Sequence, residues 1–343
     1  MPEIDKLVRE NVKALVPYSC ARDEFKGREG IFLDANENPY GRLNRYPDPY
    51  QRELKKAISR EKGVPEDNIF LGNGSDEIID LCFRTFCNPG TDMALTFSPS
   101  YGMYEVSAYV NSVRLIKVPL DPDFSIDLNN VIPWLAAPDL KLILICSPNN
   151  PTGNSMKSSD IEFIISSFKG IVVIDEAYID FSDQESFKTM VSRYSNLIVM
   201  QTFSKAFGLA AARVGIAFTN PSIVHYFNKM KPPYNISTIN QKAALRSLNH
   251  MRLFKKRVKR IKTERERLIL ILKKLSIIEM VFPSDANFLL VKTRNADEIY
   301  SKLIGAKIIV RNRSKTVPDC LRITVGTPAE NNRLIKALRR IVL

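Results

Sequence analysis

Three short apolar runs, Leu140–Cys146, Ile171–Asp175 and Leu197–Thr202, each stop abruptly at polar residues. Runs so short and so continuously apolar suit strands buried on both faces, the condition of a parallel sheet covered by helices. Weaker strand patterns lie at 68–71, 93–97, 113–118 and 215–219. Helical patterns lie at 52–61 and 75–86, the second opened by a Gly-Ser-Asp start signal. Strands and helices in alternation predict an α/β domain over residues 31–235, built on a largely parallel sheet.

The pattern changes after residue 235. A long helical stretch precedes strand patterns at 287–291, near 308–310 and at 320–325, with helices at 296–303 and 330–341. That order predicts a smaller α+β domain over 236–343. Residues 1–30 read as an N-terminal arm with one short helix.

Composition narrows the function classes. The chain has 343 residues, 45% hydrophobic and 25% charged, enough to bury a core and to divide into two domains. No apolar run approaches the ~18 residues of a membrane span. Residues 1–10 carry charge without an apolar stretch, so no secretory leader is expected. Cys20, Cys82, Cys87, Cys146 and Cys320 are scattered and form no Cys-x-x-Cys pair, as expected of buried free thiols in a reducing compartment. The two histidines, His225 and His250, stand apart from every motif, which argues against a histidine metal site or a Ser-His-Asp triad, and no metal is expected. Much of the net charge of +13 collects in 255–274, where Val258, Ile261, Leu268 and Ile271 with Leu272 recur at helical spacing. The basic residues there read as the solvated face of an amphipathic helix, with steering of anionic substrates as a by-product. No nucleic-acid recognition motif accompanies the charge.

The chemistry sits where the apolar runs end. Ligands of open α/β sheets bind beyond the carboxyl ends of the strands. There the chain places Ser147-Pro148-Asn149-Asn150-Pro151-Thr152-Gly153, then Asp175-Glu176-Ala177-Tyr178, then Thr202-Phe203-Ser204-Lys205-Ala206-Phe207-Gly208 with Arg213 beyond. In order and spacing these blocks resemble the fold-type-I aminotransferases that use pyridoxal 5′-phosphate. The resemblance implies that Lys205 is the catalytic residue, bonding to the cofactor aldehyde at rest and shuttling the α-proton when freed. It implies that Asp175 faces the pyridine nitrogen and keeps it protonated, and that Tyr178 and Asn150 donate toward the phenolic oxygen, although Asn150 also suits a turn. A phosphate cup is implied from the N–H groups of Ser75 and Asp76 in Gly72-Asn73-Gly74-Ser75-Asp76, the hydroxyls of Thr202 and Ser204, and the guanidinium of Arg213. Tyr101 is implied to stack on the ring, while nearby Tyr104 reads as core packing.

Flanking blocks sharpen the resemblance. Val16-Pro17-Tyr18, Leu33-Asp34-Ala35-Asn36-Glu37-Asn38-Pro39, Asn44-Arg45-Tyr46-Pro47-Asp48-Pro49, Tyr101-Gly102-Met103-Tyr104 and Leu321-Arg322-Ile323-Thr324-Val325-Gly326-Thr327 are similar to the histidinol-phosphate aminotransferase family, over almost the whole chain. That implies amino transfer between histidinol phosphate and 2-oxoglutarate, in a cytosolic homodimer. It also implies that Tyr46 reaches the partner subunit's cofactor phosphate, and that the arm belongs with the smaller domain or a dimer contact. Arg322 is implied to bind the substrate carboxylate or phosphate; Tyr18 and Arg311 are candidates for extra donors to the phosphate, although Arg311 also suits an exposed charge at a strand end, and Asn36 is a further substrate-binding candidate. The segment between Pro39 and Asn44 is shorter than in many members. The core motifs are shared by aromatic aminotransferases and by decarboxylases of phosphorylated amino acids, so both stand as alternatives. A non-catalytic cofactor-sensing domain would need an attached DNA-binding module, for which no room is expected before Asn36.

Overall fold

The apolar runs become the middle of a seven-stranded sheet. Its strands are β1 (Ile69–Asn73), β2 (Met93–Ser98), β3 (Arg114–Pro119), β4 (Leu140–Cys146), β5 (Ile171–Asp175), β6 (Leu197–Thr202) and β7 (Val214–Thr219). They lie in the order β1-β7-β6-β5-β4-β2-β3. All neighbours are parallel except β7, which runs antiparallel to both β1 and β6. The computed structural model that shows this describes residues 3–18 and 30–342.

Alternation along the strands divides the apolar side chains between two layers. Ile143, Ile145, Val172, Ile174, Leu197 and Val199 face one layer. Leu142, Leu144, Ile171, Val173, Ile198 and Met200 face the other, under the helices Ser75–Phe86 and Pro221–Met230. With both faces covered, these strands have no polar side to show, which explains the continuous runs in the sequence. Their carboxyl ends, at Cys146, Asp175 and Thr202, lie along one edge.

A second, wholly antiparallel sheet contains β8 (Ile278–Val281), β9 (Phe288–Thr293), β10 (Arg311–Asn312) and β11 (Cys320–Thr324), in the order β10-β11-β9-β8. One face packs Leu289, Val291, Leu321 and Ile323 against the helices Met251–Leu272, Ala296–Gly305 and Pro328–Val342. On the helix Met251–Leu272, Leu268 and Leu272 are buried, whereas Lys255, Lys256, Arg257, Lys259 and Arg260 are exposed.

Several expectations change. The strand near 308–310 is displaced: β10 begins only at Arg311, where the chain first comes opposite β11. Ile308 instead returns its N–H to Leu303 O after a left-handed Lys307, closing the preceding helix. The long helical stretch is two helices, Thr238–Leu248 and Met251–Leu272, separated at Asn249 and His250. Strand β8 carries too weak a pattern to be read in advance. The arm holds two short helices, Ile4–Leu7 and Glu10–Ala14, because Arg9 between them is extended. Its Ile4, Val8 and Val12 pack into the core layer of the larger sheet, so this part of the arm does not belong with the smaller sheet. Cys20 and the rest of 19–29 lie outside the described residues.

Candidate active site

Asp175 ends β5 in full burial. One carboxylate oxygen accepts the Ala177 N–H at 3.0 Å, and the other accepts the Tyr104 hydroxyl at 3.0 Å. Burial pushes its carboxyl up to about 6 against the pull of those two hydrogen bonds. Tyr104 is core, as expected, but its hydroxyl serves Asp175, a contact the sequence reading missed. Tyr104 lies in the first turn of the helix Met103–Val110 and Tyr101 just before that helix, so no periodicity in the sequence signalled the contact. The two rings meet edge to face at 5.6 Å.

Lys205 follows β6 in the turn that ends the strand. Its amine lies 5.6 Å from the centre of the Tyr178 ring. The side chain is open to solvent, yet the cleft walls and the nearby Arg322 charge both lower its pKa, partly opposed by Asp175. Tyr178 packs edge-on against Phe288 of β9, with ring centres 5.1 Å apart, and burial raises its phenol. Asn150, in the turn after β4, accepts a hydrogen bond at its side-chain oxygen from the Arg322 guanidinium. That bond joins the larger sheet's edge to β11.

The start of the helix Ser75–Phe86 forms a cradle that depends on two glycines. Gly74 has φ +79°, and a Cβ there would stand 2.5 Å from Arg213 Nη2. A Cβ on Gly215, opposite in β7, would stand 2.5 Å from Ser75 N. Their absence of side chains lets Arg213 and the first helical turn come together. Arg213 reaches Asp76 at 3.1 Å and Ser204 Oγ at 3.4 Å, and Tyr101 donates to Asp76 at 3.1 Å. The first-turn N–H groups and dipole of a helix attract an anion, and Arg213 and Ser204 stand beside them. Thr202 is less available: its hydroxyl donates to Val214 O at 3.3 Å and accepts the Ser204 N–H at 3.0 Å, which shapes the turn.

Arg322 lies over the Phe288 ring at 5.2 Å, and Arg311 is its direct cross-strand partner. Three expected substrate or cofactor residues lie elsewhere in the single chain. Tyr18 is 74% exposed. Asn36 and Tyr46 line a separate cleft of about 420 Å³ with Arg45 and Ser237, away from Lys205. There Tyr46 stacks on Tyr234 with ring centres 4.3 Å apart. Among the described residues no group of three or more His, Cys, Asp or Glu side chains is placed to hold a metal, and no helix is long and apolar enough to cross a membrane. Cys82, Cys87, Cys146 and Cys320 are buried free thiols, and His225 and His250 are exposed.

Comparison with known proteins assigns the chain a family. Residues 31–338 match the family described as aminotransferase class I and II. A histidinol-phosphate aminotransferase of Parabacteroides distasonis is 51% identical over 100% of both chains. One of Cytophaga hutchinsonii is 49% identical over 98% of each. The crystal structure of the histidinol-phosphate aminotransferase from Clostridium acetobutylicum superposes with a TM-score of 0.80 at 28% identity, covering 88% of this chain and 91% of that one.

Proposed function

We infer, for a chain that belongs to the class I and II aminotransferase family and within it to the histidinol-phosphate aminotransferases, that it transfers an amino group between L-histidinol phosphate and 2-oxoglutarate. The products are imidazole-acetol phosphate and L-glutamate, and the step belongs to histidine biosynthesis. The observation that carries this reading is the 49–51% identity over the whole chain to proteins of that name. The convergence of Asp175, Lys205 and Arg213 from the adjoining strands β5, β6 and β7 supports it.

The residues present fit pyridoxal 5′-phosphate. A buried carboxylate raised by desolvation suits a protonated ring nitrogen, which would supply its missing counter-charge. The glycine-floored cradle with Arg213 suits a phosphate, and Lys205 supplies an amine. When bound, the cofactor supplies an aldehyde for the amino group and a ring that accepts the electrons of the broken Cα–H bond.

The chain's own residues do the rest. Asp175 holds the ring nitrogen's proton, and Tyr104 and Ala177 hold Asp175 in place. Lys205, with its lowered pKa, offers more neutral amine at a given pH and moves the α-proton. Tyr101 would cover the ring, and Asn150 and Tyr178 would address its phenolic oxygen. Ser75, Asp76, Ser204 and Arg213 form the phosphate cup, with Thr202 acting mainly through the turn. Arg322 takes glutamate's carboxylate in one half-reaction and the phosphate of histidinol phosphate in the other, with Arg311 and Tyr18 assisting.

Asn36 and Tyr46 belong in this scheme to a cytosolic homodimer, where Tyr46 meets the neighbour's cofactor phosphate. The chain divides into a larger domain over 31–235 and a smaller one over 236–343. Adding one amino donor at a time to the cofactor-loaded enzyme, without keto acid, tests the activity by absorbance. Histidinol phosphate and glutamate should each discharge the yellow colour. Discharge by aromatic amino acids alone would replace the reading with an aromatic aminotransferase, and discharge by no donor would remove transamination.

A further inference from the structure

Three arginines share one face of the smaller sheet. Arg311 and Arg322 are directly opposite each other on β10 and β11, so their side chains leave the same face. Arg313 follows Arg311 by two residues and donates its backbone N–H to Cys320 O at 2.9 Å, which continues the ladder and returns its side chain to that face. The other face is closed by Leu321 and Ile323 in the apolar core. Like charges placed opposite one another repel. Among the described residues, the ion pairs on this part of the chain join Arg265 to Glu266, Arg267 to Glu264, Lys292 to Glu279 and Lys302 to Glu298. None of them relieves the three arginines.

Arg313 is the most exposed to this cost. Among the described residues its Nε is buried with no hydrogen-bond partner, and the hydroxyl of Ser314 beside it is also buried without one. Burial and the charges of Arg322 and Arg311 all lower the pKa of its guanidinium, with Tyr178 opposing. Buried donors are almost always satisfied in folded proteins. An unsatisfied guanidinium N–H next to two guanidiniums that have no carboxylate among the described residues, one of them held only by the Asn150 side-chain oxygen, is therefore a place prepared for an anion from outside. The charge also discriminates between anions. One bidentate arginine matches a carboxylate, and Arg322 alone suffices for that. A phosphomonoester brings a third oxygen and a second negative charge, enough to engage a further cation.

We propose that Arg313 is a specificity-determining residue that completes a three-arginine subsite for the phosphate of the phosphorylated substrate and contributes little to the carboxylate substrate. The proposal rests on the substrate pair inferred above. Arg313 is not visible as a candidate in the sequence, because the i, i+2 relation to Arg311 matters only once β10 is known to be a strand.

The two half-reactions of the cofactor-loaded enzyme, followed separately by absorbance, test it. Arg313→Gln should weaken histidinol phosphate in its half-reaction by about 10- to 100-fold, while glutamate changes by no more than about 2-fold. Arg313→Lys, which keeps the charge but loses the fork, should fall between. Inorganic phosphate gives a readout independent of turnover. Millimolar phosphate should raise the melting temperature of the loaded wild-type enzyme and should have a clearly smaller effect on Arg313→Gln. Equal losses on both donors, no loss on either, or undiminished stabilisation by phosphate in the variant would overturn the proposal. If wild type accepts glutamate but not histidinol phosphate, the assigned activity fails, and the phosphate shift still decides whether the subsite exists.

Discussion

The edge of the larger sheet and the open face of the smaller one handle charge in opposite ways. At the larger sheet the carboxylate and the guanidinium that would hold the cofactor have partners from the chain: Asp175 has Tyr104 and Ala177, and Arg213 has Asp76 and Ser204, while the Lys205 amine has the Tyr178 ring beside it. At the smaller sheet Arg311, Arg313 and Arg322 gather, and among the described residues none has a carboxylate partner and only Arg322 finds a polar one, in Asn150. The difference suits two kinds of guest. A cofactor that stays can be held by a finished, preorganised cradle. Two substrates that alternate need a face whose charge is left unmatched until one of them arrives, at some cost to the stability of the unliganded protein.

Lys205→Ala is the harshest test of the finished side. Turnover should fall by about 1,000-fold or more, measured as kcat with histidinol phosphate and 2-oxoglutarate, while the smaller sheet's response to phosphate stays. Asp175→Asn should lower kcat by about 100-fold and should reveal a stability effect of opposite sign. The folded carboxyl stands at about 6, above its ordinary 3.8. The native state of the cofactor-free protein then holds its proton more tightly than the unfolded chain, so stability falls as pH rises from about 4 to 6. Denaturant melts of cofactor-free protein should show Asp175→Asn more stable than wild type by up to ~3 kcal/mol at pH 8, with the gain gone at pH 3.5.

Gly215→Ala would bring a methyl group to within 2.5 Å of the backbone of Gly74 and Ser75. It should destabilise the fold by ~1–3 kcal/mol and speed cofactor loss on dialysis, which would separate cradle geometry from charge. The smallest effect is expected of Tyr104→Phe. Removing the donor on Asp175 should push that carboxyl higher still, moving the acid limb of the pH–activity profile up by about one pH unit. An unmoved limb would mean that Ala177 alone suffices to hold the carboxylate.

Legibility in the sequence follows burial and distance along the chain. The strands β4, β5 and β6 could be read because burial on both faces leaves a continuous apolar run, and the residues at their ends could be read because they are local in sequence. Strand β10 was misplaced and β8 missed because short strands at or near a sheet edge carry little periodicity, and what makes them strands is the partner beside them. That the Thr202 hydroxyl also holds Val214 O is not legible in the sequence, because a hydroxyl's partner is invisible until the turn closes.

The sequence by itself determined the alternation of strand and helix, the parallel core and the cluster of Asp175, Lys205 and Arg213, since each depends on residues that act within one run or one turn. The tertiary structure alone decided that Tyr104 serves Asp175 from 71 residues away, that Gly215 makes room for Ser75, and that Arg313 feels the charge of both Arg322 and Arg311. Those outcomes come from side chains meeting across strands and layers, where register and packing choose the partner and no local pattern records the choice.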